Sequence, residues 1–212
     1  MNIKYKTFWR KTGLKKNWGN IFLDIVYSHK PKNFLEVGVF CGVTAKNICE
    51  LLNDIHNGQF NYIGVDLFGD NVSEDEKEPY YLKKQKFSNP FKNIYYNYIK
   101  KENLNSYDSV MDFLKKFTKN IKLVKGNSNH VLKDINISNI DFAFIDGGHS
   151  YQTVYNDINN VINKVKKGSI ILCDDYRDAS YITGVKEAVD VTVKEKKLKL
   201  EIIKDRFAKI TT

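Results

Sequence analysis

Short apolar runs alternate with amphipathic helical segments along most of the chain, and this alternation restricts the fold more than any other feature. Continuous apolar runs of this length are typical of strands buried on both faces, as in a parallel sheet covered by helices. Such strands are predicted at residues 33–38, 62–66, 121–125, 140–146 and 169–174. Apolar residues at helical spacing predict helices from about Asn20, Thr44, Ser109, Ser150 and Gly184.

The end of the chain and one internal segment depart from this alternation. Residues 198–203 and 207–211 are two apolar stretches that predict an antiparallel hairpin. We therefore expect one α/β domain over residues 1–212, with a seven-stranded, mostly parallel sheet, a C-terminal hairpin and helices on both faces. Residues 70–105 are polar and rich in aromatic residues, and so long a segment without regular structure is typical of a functional loop. We expect a lid over the substrate, with a dimerisation arm as the alternative.

Composition excludes several classes of protein. The net charge is +9, but only three of the 34 basic residues are arginines, and the lysines are spread along the chain among acids. Nucleic-acid-binding proteins concentrate charge on one face and favour arginine, so we expect no nucleic-acid partner. No apolar run approaches the roughly 20 residues that cross a bilayer, and the N-terminus lacks the apolar core of a secretory signal. The scattered Cys41, Cys49 and Cys173 indicate reduced thiols in the cytoplasm.

Acidic residues cluster where the predicted strands end. Glu36, Asp66, Asp146, Asp174 and Asp175 all lie at or close to the carboxyl ends of strands. Parallel α/β sheets bind ligands outside these ends. The predicted ligand site is therefore rich in carboxylates.

The first strand leads into the sequence Glu36-Val-Gly-Val-Phe-Cys-Gly42. Its glycines, Gly38 and Gly42, predict a tight turn from strand to helix. Phe40 occupies the position of the second glycine in the dinucleotide fingerprint, where glycine lets the backbone approach a pyrophosphate, so the turn argues against a phosphate ligand. Asp66, 28 residues after Gly38, is well placed to accept hydrogen bonds from ribose hydroxyls. A turn with no ligand is the alternative.

These two motifs resemble the class I S-adenosylmethionine-dependent methyltransferases, whose E-x-G-x-x-x-G motif and acidic second strand end match Glu36–Gly42 and Gly64-Val-Asp66. The similarity covers most of the chain except residues 1–18 and 70–105. It implies that the Gly38–Gly42 loop packs against the methionine moiety and that Asp66 holds both ribose hydroxyls. The cofactor residues implied are Glu36, Gly38, Val39, Phe40, Gly42, Asp66, Asn127, Ser128 and Asp146, with Asn127 and Ser128 beside the adenine.

A second group of residues comes after strands four and five. Asp146-Gly-Gly-His-Ser-Tyr151 comes after the fourth strand, and Asp174-Asp175 after the fifth. Neighbouring strands lie about 4.8 Å apart, so these three carboxylates can converge, and their mutual repulsion favours a bound cation. Oxygen ligands suit Mg²⁺, with Ca²⁺ or Mn²⁺ as substitutes. The alternative is that one of the paired aspartates only caps a turn.

This group is similar to the metal-dependent O-methyltransferases of the catechol type and of sugars and macrolides, in which a strand-four aspartate and a strand-five acidic pair hold Mg²⁺. The catechol-type lysine base, three residues beyond the strand-four aspartate, is replaced here by His149. The intrinsic pKa of a histidine side chain suits proton removal from an acidified hydroxyl. His149 is the candidate base, with a purely structural histidine at a helix start as the equal alternative.

The sequence therefore predicts a Mg²⁺-dependent O-methyltransferase in which Asp146 and His149 are catalytic and Asp146, Asp174 and Asp175 bind the metal. The expected partner is a small-molecule acceptor, such as a diol-bearing metabolite or a sugar. A homodimer and the absence of a membrane partner are further expectations. An NAD-dependent oxidoreductase and a cofactor-binding protein without turnover are the alternatives.

Overall fold

The structure, a computed structural model, describes residues 4–69, 87–101, 103–177, 182 and 184–212. Its strands all belong to one sheet. They are β1 (Asn33–Val37), β2 (Asn61–Asp66), β3 (Ile121–Lys125), β4 (Ile140–Ile145), β5 (Val165–Cys173), β6 (Lys199–Ile203) and β7 (Phe207–Thr211). The order across the sheet is β3-β2-β1-β4-β5-β7-β6. Strands β1 to β5 pair in parallel, and β7 pairs antiparallel with both β5 and β6. The predicted seven-stranded sheet with its C-terminal hairpin is confirmed.

Helices connect the parallel strands. The α-helices of the described residues are α1 (Lys16–His29), α2 (Val43–His56), α3 (Pro90–Ile94), α4 (Tyr107–Phe113), α5 (Ser128–Asp134), α6 (Tyr151–Ile162) and α7 (Val185–Lys196). A π-helical segment at Tyr95–Lys100 continues α3, and a 3₁₀ turn at Lys115–Phe117 comes after α4. No helix in the described ranges is both long enough and apolar enough to cross a membrane.

The two faces of the sheet carry different side chains because successive residues of a strand point to opposite sides. Phe34 stacks between Tyr62 and Phe142, with ring centroids 6.2 and 5.2 Å away and interplanar angles of 11°. This aromatic face packs against helices α1 and α2. The opposite face is aliphatic, with Leu35 and Val37 in the cluster formed with α6 and α7.

Several helix boundaries differ from the predictions. Helix α1 starts at Lys16 and not at Asn20. Its cap residue is Lys15, and the side chain of Asn20, inside the helix, accepts a hydrogen bond from the Tyr5 backbone N–H. Helix α4 starts at Tyr107, where the Ser106 side chain accepts from the N–H of Ser109.

Helix α5 and the length of β5 were not predicted. Helix α5 is a short helix whose cap is Asn127. Strand β5 begins at Val165, four residues earlier than expected, because Val165 already pairs with Ile140 of β4. The register then shifts between Ile140 and Phe142, and Gly168 within this irregular part has a φ of +83°. An irregular strand start of this kind does not show in the hydrophobic pattern.

Candidate active site

A cavity of about 1180 Å³ opens at the carboxyl edge of the sheet. The ends of β1, β2, β4 and β5 line it through Gly38, Asp66, Asp146 and Asp174. This is the edge at which parallel α/β sheets bind their ligands. Of the nine predicted cofactor residues, those that line it are Gly38, Phe40, Asp66, Asn127, Ser128 and Asp146. All the predicted metal ligands and His149 also line it.

The turn after β1 requires glycine at its first position. Gly38 has a φ of +94°, and a Cβ atom there would lie 2.1 Å from the carbonyl oxygen of Asp146. The backbone of the turn therefore packs directly against the residue that comes after β4. A side chain at position 38 would push these two ends of the site apart.

Asp66 holds this turn in place. Its Oδ2 accepts hydrogen bonds from the backbone N–H groups of Val39 and Phe40, both at 2.8 Å, and its Oδ1 accepts one from Phe68 at 2.7 Å. Burial raises the pKa of Asp66, and these three backbone donors oppose the rise. The carboxylate also lines the cavity. Asp66 is therefore both a wall of the cavity and the anchor of the Gly38–Gly42 loop, and the sequence predicted only the first of these.

Glu36 lies beneath the loop and does not line the cavity. It is fully buried, and the Tyr62 hydroxyl donates a hydrogen bond to its Oε2. Burial raises the pKa of Glu36 to about 8; the Tyr62 hydrogen bond opposes this rise and the nearby Asp66 adds to it. Val39 and Gly42 are also absent from the cavity lining. A direct cofactor contact by these three residues stays a prediction.

Asn127 and Ser128 lie just beyond β3, at the start of α5. The Asn127 side chain accepts a hydrogen bond from the N–H of Asn129 at 3.0 Å and caps the helix. Both residues line the cavity. The amide group of Asn127 is thereby fixed at the wall of the cavity.

Three carboxylates meet on the other side of the cavity, after β4 and β5. One oxygen each from Asp146, Asp174 and Asp175 lies within 4.8 Å of the others. Burial raises the pKa of Asp146 well above its usual range, and repulsion from Asp174 and Asp175 adds to the rise. A small space of about 10 Å³ beside Asp146 and Asp174 is roughly large enough for one water-sized ligand. The predicted convergence of these carboxylates is present.

Two arginines neutralise part of this negative charge. Arg206 donates to both oxygens of Asp174, from Nε and from Nη2, at 2.6 Å each. Arg177 Nη2 lies 2.8 Å from Asp175 Oδ1. The antiparallel β5–β7 register, in which Cys173 faces Ala208, brings Arg206 beside Asp174. Sequence reasoning missed both arginines, because nothing in the sequence near either of them marks the ion pair.

His149 reaches the same group of residues. Its Nε2 lies 3.3 Å from Oδ2 of Asp175. Burial alone would raise the pKa of Asp175, but His149, Arg206 and Arg177 outweigh burial and the pKa lies below the usual range. This contact is the one expected for the structural alternative, in which the histidine binds a neighbouring strand end. His149 nevertheless lines the cavity, as a catalytic base must.

Residues before α1 form a strap across the site, a role that was not predicted. Arg10 is buried and donates from Nε to the Cys41 carbonyl at 2.8 Å and from Nη2 to the Ser109 hydroxyl at 2.9 Å. The Tyr5 hydroxyl is 2.8 Å from that of Thr44. The strap residues that line the cavity are Arg10, Lys11, Thr12, Gly13 and Lys15. The strap has no periodic pattern and lies within residues 1–18, which the family resemblance did not cover.

Solved structures with a similar fold include several methyltransferases. They include the SAH-bound methyltransferase PaMTH1 of Podospora anserina, with TM-score 0.60, 15% identity and coverage of 93% of this chain and 79% of that one. The O-methyltransferase NovP gives TM-score 0.65 and 16% identity, covering 90% and 78%. CalS11, a TDP-rhamnose 3'-O-methyltransferase of calicheamicin biosynthesis, gives TM-score 0.56 and 18% identity, covering 90% and 77%. At these identities the likeness establishes the fold.

Sequence comparison gives one curated relative and a family. The relative, an uncharacterized protein R132 of Acanthamoeba polyphaga mimivirus, is 46% identical over 54 residues, which are 26% of this chain and 24% of that protein. The match thus spans about a quarter of the relative's length. The family model described as a methyltransferase domain matches residues 35–176, from β1 through the acidic pair after β5. Because that match covers most of the chain and includes both predicted motifs, the protein belongs to the methyltransferase-domain family.

Proposed function

We propose that this protein transfers a methyl group from S-adenosylmethionine to a hydroxyl group of a small molecule. The single observation that carries the proposal is one continuous cavity that joins the Gly38 turn and Asp66 to the carboxylate cluster. A cofactor at the first end and an acceptor at the second would bring the donor methyl group and the hydroxyl together. The fold shared with O-methyltransferases such as NovP supports the same function.

The cofactor end has suitable partners for each part of S-adenosylmethionine. The Gly38–Gly42 loop would pack against the methionine moiety, and Asn127 and Ser128 would flank the adenine. Asp66 would accept a hydrogen bond from a ribose hydroxyl through Oδ1, because Oδ2 already accepts two backbone hydrogen bonds. Its Oδ1 accepts a backbone hydrogen bond from Phe68, and a carboxylate oxygen has room for a second donor.

The residues of the carboxylate cluster fit a hard divalent cation such as Mg²⁺. Asp146, Asp174 and Asp175 offer only oxygen ligands within 4.8 Å of one another, and oxygen ligands suit Mg²⁺, with Ca²⁺ or Mn²⁺ as substitutes. When bound, such an ion lowers the pKa of an acceptor hydroxyl. Each Asp174 oxygen already accepts a hydrogen bond from Arg206 and keeps one further lone pair for a metal.

His149 would take the proton from the acceptor. The hydroxyl oxygen attacks the methyl carbon, the carbon–sulfur bond breaks, and S-adenosylhomocysteine leaves while the hydroxyl proton passes to His149. Asp175, 3.3 Å from His149 Nε2, would orient the ring and stabilise its protonated form. The remaining contribution of the enzyme is the alignment of donor and acceptor in the cavity.

The acceptor we propose is a diol-bearing metabolite or a sugar, since neighbouring hydroxyls can both approach one cation. CalS11 is described as a TDP-rhamnose 3'-O-methyltransferase, so the acceptor of that protein carries a sugar. An NAD-dependent oxidoreductase is the second candidate. Phe40, at the position of the second glycine of the dinucleotide fingerprint, argues against it.

We also propose that the insertion at residues 70–105 covers the acceptor. Residues 70–86 and 102 lie outside the described residues. Within the described part, Phe87, Ser88 and Asn105 line the cavity, and Tyr96 and Leu104 pack against Cys41 of the glycine loop. Phe91 and Tyr98 are 75% and 65% exposed, which would also suit the alternative, an arm that binds a second copy of the chain.

The function is tested by cofactor binding and by product formation. Calorimetric titration should show binding of S-adenosylhomocysteine and no binding of NADH. Incubation with methyl-deuterated S-adenosylmethionine and a panel of sugars and diols should then transfer the labelled methyl group, detected by mass spectrometry. Binding of NADH in place of S-adenosylhomocysteine would refute the proposal, and binding without any transfer would favour a cofactor-binding protein.

The metal requirement is tested separately. We expect turnover to stop in EDTA and to return when Mg²⁺ is added in excess. Asp174→Asn should raise the Mg²⁺ concentration needed for half-maximal activity. Full turnover in chelator would refute the metal role and leave the methyltransferase proposal intact.

The lid is tested by limited proteolysis with and without S-adenosylhomocysteine and an acceptor. A lid should become protected when ligand is added. Protection that is present without ligand and is lost on dilution would indicate the dimer arm instead.

The three buried free thiols support our expectation of a reducing compartment.

A further inference from the structure

The carboxylate cluster already contains a positive charge from the protein itself, the guanidinium group of Arg206. The Arg206 side chain is 8% exposed and that of Asp174 is 1% exposed. Both oxygens of Asp174 accept from this one guanidinium group at 2.6 Å. The same guanidinium lies 3.9 Å from Oδ1 of Asp175. Arg206 therefore faces two of the three proposed metal ligands.

The guanidinium group is held there from several sides. Its central carbon lies 5.2 Å from the ring centre of Trp18 and 5.7 Å from that of Phe207. The backbone carbonyl of Arg206 accepts a hydrogen bond from the N–H of Tyr176 at 2.8 Å. Because the side chain contacts two adjacent rings and its backbone is hydrogen-bonded to the end of β5, we expect it to stay near Asp174 when a metal binds.

The formal charges of the cluster nearly cancel. The three carboxylates, counted as ionised, and the guanidinium groups of Arg177 and Arg206 leave one negative charge before His149 is counted. A divalent ion would change this to one positive charge, and a deprotonated acceptor hydroxyl would return it to zero. The cluster is therefore balanced for a metal together with an acceptor anion, and not for a metal alone.

We propose that the positive charge of Arg206, held beside Asp174 and Asp175, repels the divalent cation, so that the enzyme without acceptor binds the metal weakly. The inference rests on the proposed metal-dependent function. It assigns to Arg206 a part in the site that neither the motifs nor the family comparison contains. An ion pair that only ties β7 to β5 is the alternative, and metal affinity distinguishes the two.

The test measures Mn²⁺ binding by the full chain, saturated with S-adenosylhomocysteine, from the electron paramagnetic resonance signal of free Mn²⁺. Arg206→Gln should bind Mn²⁺ about tenfold more tightly than the unmodified protein, because a positive charge next to the ion is removed. Arg206→Lys keeps that charge and should stay within about threefold of the unmodified protein. Arg177→Gln is the matched control. Its side chain is 38% exposed, so solvent screens the charge and we expect a smaller gain than for Arg206→Gln.

Thermal unfolding gives a second readout. Arg206→Gln leaves Asp174 buried without its partner, so its unfolding temperature should fall. Mg²⁺ should then raise the unfolding temperature of Arg206→Gln by more than it raises that of the unmodified protein, because the ion replaces the lost charge. If Arg206→Gln does not fold without metal, refolding it with and without Mg²⁺ gives the same comparison, and recovery only with Mg²⁺ supports the proposal.

Two outcomes would overturn the inference. Unchanged or weaker Mn²⁺ binding by Arg206→Gln would make the ion pair purely structural. No Mn²⁺ binding by any variant would remove both this inference and the metal role. In that case, methyl transfer in EDTA would still support the methyltransferase proposal, so the two failures are distinguishable.

Discussion

Replacing Asp66 with alanine tests how the cofactor end of the cavity is built. The carboxylate accepts backbone hydrogen bonds from Val39, Phe40 and Phe68 at 2.7–2.8 Å. A hydrogen bond to a charged group contributes about 1.5–3 kcal/mol, so the three together set an upper limit of roughly 4.5–9 kcal/mol. Removing a buried charge recovers part of its desolvation cost, and the freed N–H groups can bind water in the cavity. We expect a net loss in the free energy of unfolding of about 2–4 kcal/mol.

The same substitution should weaken cofactor binding. The loop loses its anchor and the ribose loses a charged acceptor, so the affinity for S-adenosylhomocysteine should fall by about 2–4 kcal/mol, or roughly 30- to 1000-fold. Asp66→Asn should lower this affinity by an intermediate amount, because the amide oxygen can still accept hydrogen bonds but the amide nitrogen is a donor. Urea denaturation gives the stability, and calorimetric titration gives the affinity.

Asp141 supplies a matched control at the opposite edge of the sheet. Its Oδ2 accepts from the backbone N–H groups of Lys32 and Asn33 at 3.0 and 2.8 Å, and its Oδ1 binds Lys166 Nζ at 2.6 Å. Asp141→Ala should therefore lower stability and leave the affinity for S-adenosylhomocysteine unchanged. An unchanged affinity in Asp66→Ala as well would refute the reasoning and remove Asp66 from the site.

Other substitutions test the rest of the site. Gly38→Ala should lower the free energy of unfolding by about 2–5 kcal/mol, because of the contact with Asp146 and the positive φ. Gly168→Ala is the control: Gly168 has a φ of +83° but no atom within 4 Å of an added Cβ, so the loss in the same urea titration should be about 1–2 kcal/mol. Glu36, whose pKa rises from 4.5 to about 8, binds more protons when folded. Relative to Glu36→Gln, the protein should lose stability as pH rises through that window, by at most about 1.4 kcal/mol per pH unit; parallel stability curves would contradict the assignment. His149→Gln should lower kcat about 100-fold or more if His149 is the base, and an unchanged kcat would leave only its structural role.

The fold could be predicted because its signals are local. Each strand from β1 to β4 is a short apolar run whose period and length can be recognised without knowing its neighbours. Once these strands are parallel, their carboxyl ends lie at one edge of the sheet. The strand pattern alone therefore assigns Asp66, Asp146 and Asp174 to one site, and all three line the cavity.

The sequence alone thus determined that the carboxylates at the ends of β2, β4 and β5 line the site, although it also placed the buried Glu36 there. Only the tertiary structure decided how these carboxylates are partnered. Asp66 anchors the glycine loop because the turn after β1 folds over the end of β2. Arg206, 32 residues after Asp174, reaches it because β7 inserts antiparallel beside β5. Periodicity is set by neighbouring residues along the chain, whereas an ion pair of this kind depends on strand order and register, which are fixed only when the whole sheet packs.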